Sequence, residues 1–354
     1  MRGSHYTLLL SSILVWSISI NTYADTNSDN YVVASYEKPT PITKREVTLL
    51  NNTRWAFDVS ARRIRNLEQD EWYEQDVYGF DLHKVFSNEN GDYGTLVFQP
   101  YLVNLTNIPK APFFFDDGDD WELTWRIANF NYTGLAQGKL NIRLGHFEVP
   151  FGLEQNIDTN GTLRQYTFSS RGVKADWGIS INGNLPVLDY EFALTRGSSN
   201  DIRSQDDPYV LAGRVGTPNH FNTIYGFSYF YGEVLGDTGT TKRKQLGLDI
   251  AHYFKQFEFL TELSAGENEE TELVNWLGEI SWRNINESIH LYSQTRTSYS
   301  KIDGNWENGL STAFGIDWDF TNQLSFSSQL AYDLDNLSGV EADTTATIQL
   351  RIRI

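Results

Sequence analysis

The run Ala346-Thr-Ile-Gln-Leu-Arg-Ile-Arg-Ile354 alternates without a break. In an extended chain Ala346, Ile348, Leu350, Ile352 and Ile354 fall on one face, and Thr347, Gln349, Arg351 and Arg353 on the other. Two guanidinium groups are costly against lipid or a dry core, so the polar face must be wet and the apolar face must meet lipid or protein.

Moving toward the N-terminus, the same two-residue period returns. Trp55, Phe57, Val59 and Ala61 oppose Arg54, Asp58, Ser60 and Arg62, and Leu140, Ile142 and Leu144 oppose Asn141 and Arg143. Leu188, Tyr190, Phe192 and Leu194 face away from Glu191 and Thr195, while Tyr225, Phe227, Tyr229 and Tyr231 form an aromatic row. Further copies run through Leu246 to Ile250, Leu310 to Trp318 and Leu324 to Tyr332. Less regular ones surround Tyr78, Leu96, Trp121, Trp177, Leu211, Phe259, Trp276 and Leu291. The total is about sixteen segments, within the strand number of membrane barrels. A soluble sandwich would alternate too, but its strands average about five or six residues, shorter than several of these.

No later stretch reaches about 18 consecutive apolar residues, so the sequence predicts no membrane-spanning helix. The mean hydropathy of -0.43 does not argue against a barrel, because alternation halves the apolar content of every strand. Paired aromatics at segment ends (Trp72 with Tyr73, Trp121 with Trp125, Trp276 with Trp282, Trp318 with Phe320) suit girdles at two membrane interfaces. The expected fold is therefore an all-β transmembrane antiparallel barrel over residues 51–354, with a long loop folded into its lumen.

Before it, Met1 and Arg2 precede an apolar stretch from Tyr6 to Ile20, and small residues surround Ala24. That stretch is shorter than the roughly 20 residues of a spanning helix, so residues 1–24 read as an export signal and 25–50 as an irregular leader. The chain has 0 cysteines, which removes disulfides and thiolate chemistry. Its net charge of -18 argues against a nucleic-acid partner.

Longer breaks fall at 109–120, 152–176 and 197–207. The acidic run 116–120 lacks the spacing and closing Glu of a calcium loop and reads first as a solvated turn. The histidines show no metal-ligand spacing. His146 and Glu148 share a strand face, but no serine nucleophile can be assigned beside them. Neither a cofactor, a metal nor a catalytic residue is expected.

The stretch Arg143-Leu-Gly-His-Phe-Glu-Val-Pro-Phe-Gly-Leu-Glu154, following Trp125 to Gly134, resembles the phosphate-selective porin O and P family. In that family a Gly-x-Phe-x-x-Pro-Phe-Gly-like run leads from a strand into a long loop. The clear resemblance covers residues 121–180. It implies an outer-membrane channel, often a homotrimer set in lipid and lipopolysaccharide, that passes small hydrophilic solutes past an inward-folded loop. Anions such as phosphate or organic acids would be the solutes favoured, and no enzyme activity is implied.

On this reading the pore lining would include Arg54, Arg126, Arg143, Arg214, Arg296, Arg351 and Arg353 from strands, with Arg164, Arg171 and Lys174 from the loop. Two features depart from the family. The same polar faces also carry Asp58, Glu122, Glu191, Asp249, Glu258 and Glu262, and the final residue is Ile354 where Phe or Trp is usual. Rival readings are a barrel enzyme of lipase or protease type, which needs a nucleophile at the rim, and a structural barrel filled by bulky inward side chains.

Overall fold

The computed structural model describes residues 52–89, 91–106, 121–201, 207–236, 239–335 and 344–354. The expected export signal, the leader and the acidic run 116–120 lie outside the described residues.

Sixteen antiparallel strands close into one barrel. They are β1 (Thr53–Asn66), β2 (Glu71–Asn88), β3 (Gly91–Thr106), β4 (Trp121–Tyr132), β5 (Asn141–Glu148), β6 (Ala175–Asn184), β7 (Asp189–Thr195) and β8 (Tyr209–Gly216). The second half comprises β9 (Thr223–Gly236), β10 (Gly239–Phe254), β11 (Phe257–Asn268), β12 (Thr271–Arg283), β13 (Ile289–Ile302), β14 (Asn305–Asp319), β15 (Leu324–Asp335) and β16 (Thr345–Arg353). Each pairs with its sequence neighbours, and β16 returns to β1 with Arg351 opposite Ser60. Phe57 and Ile354 exchange backbone bonds of 2.6 and 2.9 Å at that seam. Closure pairs the last free edge, which an apolar solvent demands because no water is present to satisfy it.

The alternation resolves into an inside-out distribution. In β10, Leu246, Leu248 and Ile250 are 56, 56 and 38% exposed, whereas Gln245, Asp249 and Ala251 are 4, 2 and 1% exposed. The pattern repeats around the wall: Leu350 and Ile352 are exposed in β16 and Gln349 is buried, and Phe57 is exposed in β1 and Asp58 buried. Water-soluble proteins rarely expose an apolar surface of this extent, so the outer face is built for an apolar surrounding. Among the described residues no helix is long and apolar enough to cross a membrane, which says nothing of a barrel.

Two expected girdle residues sit inside strands rather than at their ends. Trp125 lies in β4 beside a register shift where Pro100, which has no N–H, interrupts the β3–β4 ladder. Trp276 lies within β12 because the β11–β12 hairpin runs on beyond the apolar belt to Glu267 and Glu272. Leu140 and Leu188 precede β5 and β7.

The odd-numbered strands all end at one rim of the barrel. The longest described connection, residues 149–174 between β5 and β6, matches the break expected at 152–176. It carries two short 3-10 turns, Leu153–Asn156 and Ser169–Arg171.

Candidate functional site: the β5–β6 segment and the inner wall

The segment begins at the Pro-Phe-Gly run. Phe151 packs edge-on against Phe230 of β9, ring centroids 6.5 Å apart, above Gly247, where a methyl group would meet the Phe151 ring at 2.8 Å. Gly152 then turns with φ 65, a backbone shape that strains other residues. The turn lets Gly152 N–H donate to Ser228 Oγ at 3.0 Å and Leu153 N–H to Glu262 Oε2 at 2.8 Å.

From there the segment lies on two apolar beds formed by the inner faces of β8 to β12. Val149, Phe151 and Val173 pack with Val210, Ala212, Phe230 and Val234. Leu153, Ile157, Tyr166 and Phe168 pack with Ile224, Ala251, Leu260 and Leu277.

Its backbone is tied to strands on other parts of the wall. Arg351 donates to Asn160 O at 2.9 Å, Gln349 to Gly161 O at 2.6 Å, and Gln329 to Leu163 O at 3.1 Å. Arg296 donates to Thr167 O at 2.8 Å, and Arg243, Gln245 and Asn268 all donate to Ser170 O. Asn160 donates to the Tyr101 hydroxyl at 3.0 Å on β3, and that hydroxyl lies 3.0 Å from Asp81 and 3.2 Å from Asp58. These donors satisfy carbonyls that a non-helical, non-sheet segment would otherwise leave unpaired.

The segment is also stitched to itself. Val149 N–H donates to Lys174 O at 2.8 Å across its neck. The buried Glu154 carboxylate receives Arg171 and Thr167, with Lys174 Nζ 3.2 Å away. Burial alone would push this carboxyl up, but the charges of Arg171 and Lys174 and the hydrogen bonds outweigh it and bring it down to about 2.

The ten cations read from the sequence stand either on the inner wall or on this segment, and most are matched by a carboxylate. Arg143 meets Glu191 at 3.0 Å, Arg214 meets Asp249 at 2.6 Å, and Arg353 meets Asp81 at 2.7 Å. Arg351 donates through Nε to Asp58 at 2.7 Å. Arg164 meets Glu279 at 2.9 Å, and Arg126 meets Asp158 at 3.0 Å. Arg171 and Lys174 converge on Glu154 instead of forming an open cationic edge. Arg296 binds Gln165 Oε1 and Thr167 O, and Arg54 is exposed opposite His83.

Sequence reading missed Asp81, Tyr101, Glu154, Asp158 and Glu279 as partners. Asp81 and Glu279 lie opposite Ala56 and Leu260, which share the inward parity of Asp58 and Glu262, and the alternation along their own strands was the available signal; Glu154 and Asp158 sit in an irregular segment that has no period to read. His146 is buried against Trp177, ring centroids 5.2 Å apart. His290 lies 3.2 Å from Asp317.

No protein-family model matches the chain, and no curated protein sequence matches it. Solved structures share its fold. An anion-selective porin from Comamonas acidovorans is 11% identical with a TM-score of 0.62, covering 85% of this chain and 99% of its own. OmpF of Salmonella typhi, in complex with daunomycin, is 9% identical with a TM-score of 0.63, covering 85% and 97%. OprB of Pseudomonas putida is 10% identical with a TM-score of 0.60, covering 85% and 94%. At these identities the likeness is one of fold, that of the porin barrel.

Proposed function

We propose that the chain forms a porin-like channel of the bacterial outer membrane for passive diffusion of small hydrophilic solutes, with segment 149–174 folded into the lumen as its constriction. The observation that carries this is the inversion of the wall. Apolar side chains face out, while Asp58, Asp249, Glu191 and Arg214 face in. A polar interior inside an apolar shell is what a water-filled passage through lipid needs. The constriction is supported by one segment bonding inner-face side chains of β1, β3, β10, β13, β15 and β16 at once.

Residues 1–24 would direct export, and the outer face would contact lipid and lipopolysaccharide. A homotrimer is the assembly we favour, supported by a structural neighbour described as a trimer form, OmpT of Vibrio cholerae. An anion bias needs cations left free in the passage. The pairing of Arg143, Arg214, Arg351 and Arg353 with carboxylates leaves little support for it, so neither phosphate selectivity nor an anion bias is part of the proposal.

Planar-bilayer recording of refolded protein tests the channel. Discrete, long-lived conductance steps are expected; folded protein that inserts into vesicles and passes neither ions nor sugars would sink it.

A further inference from the structure

We propose that the passage prefers electrically neutral hydrophilic solutes over ions of either sign, and that the Arg126–Asp158 pair sets this balance. The inference rests on the channel reading above. On the inner wall Arg126, Arg143, Arg214, Arg351 and Arg353 each meet a carboxylate at hydrogen-bond distance, so most of the fixed positive charge there stands directly beside a negative one, Arg54 and Arg296 being the exceptions among the cations named. A passing ion then meets dipoles instead of a single-sign field, and gains little from entering.

One of these pairs differs from the others in exposing its carboxylate. Arg126 sits at the β4 register shift and is held at 2.7 Å by Gln99, while its partner Asp158 belongs to the connecting segment. The Asp158 side chain is 75% exposed and that of Arg126 23%, so this bridge between wall and segment stands in water. The more enclosed pairs, such as Arg214 with Asp249, are shielded from a solute by their burial. Arg126 and Asp158 together present a donor fork beside an acceptor, suited to hydroxyl-rich or dipolar solutes that can bond to both.

The test is the reversal potential of single channels under a steep KCl gradient, with vesicle swelling in glucose, gluconate and glucosamine. Wild-type channels should reverse near zero and admit glucose fastest. Asp158→Asn leaves Arg126 uncompensated and should move the reversal potential toward the chloride value; Arg126→Gln should move it toward the potassium value. A strongly anion- or cation-selective wild type would overturn the neutral preference and leave the channel intact. Variants that shift in the same direction, or not at all, would overturn the role of the pair. A silent protein would overturn the channel reading, and this inference with it.

Discussion

Arg171 closes on the carboxylate of Glu154, 17 positions earlier in the chain, and so joins the two arms of the β5–β6 segment. The pair makes the segment a shaped body rather than a slack tether.

Its pH dependence follows from the depressed Glu154. A carboxyl whose folded pKa lies at about 2, below the ordinary glutamate value of 4.5, contributes stability fully present above 4.5 and lost as pH falls toward 2. Hydrogen-exchange protection of residues 153–171 should therefore hold steady from neutral pH to about 5 and fall progressively below that. Glu154→Gln should loosen the segment by about 3–5 kcal/mol above about pH 5, since it strands a buried guanidinium, and the difference from wild type should shrink as pH falls toward 2. Unchanged protection in the variant would refute the stitch.

Phe151 anchors the start of the segment on β9 and β10. Phe151→Ala should cost about 3–5 kcal/mol of local stability through the cavity it leaves. The expected sign is noisier single-channel current with the barrel still heat-modifiable on gels. Quiet, wild-type current would show that the apolar bed does not position the segment.

Gly161 has φ 72, which strains any other residue, and lies against the Arg351 guanidinium, which a methyl group there would push aside. Gly161→Ala should displace the segment from β16 and increase proteolysis around residue 161, whereas a fold with an external segment would be indifferent to it.

Outward-facing Leu248 lies in the apolar belt. Leu248→Arg should lower unfolding stability in lipid vesicles by about 2–4 kcal/mol, as charge near a bilayer midplane does. The neighbouring inward position tolerates Asp249 because Arg214 is beside it. Equal tolerance of charge at both positions would argue that the outer face does not meet hydrocarbon.

Where one face of a strand meets lipid and the other meets polar groups, the alternation could be read directly, as in β1, β10 and β16. It blurred near Leu211, Phe259 and Trp276 for a physical reason. Their inward neighbours Ala212, Leu260 and Leu277 are apolar too, because they carry the β5–β6 segment. The irregular strands thus marked where the segment rests. The face of the strand cations, such as Arg143, Arg214 and Arg351, could be read from parity, but Arg164, Arg171 and Lys174 lie in a segment without a period, and no partner could be read for any of them. An ion pair such as Arg164 with Glu279 joins residues 115 positions apart, and no local period reports it.

The absence of cysteine allows a direct measurement of the central claim, that water passes through the barrel beside the segment. Asp158→Cys and Leu248→Cys would each be treated with a charged, membrane-impermeant thiol reagent during bilayer recording. The account predicts a stepwise drop in current for Asp158→Cys and no reaction for Leu248→Cys. Labelling of the outer-face cysteine, or labelling at 158 with no change in current, would contradict it.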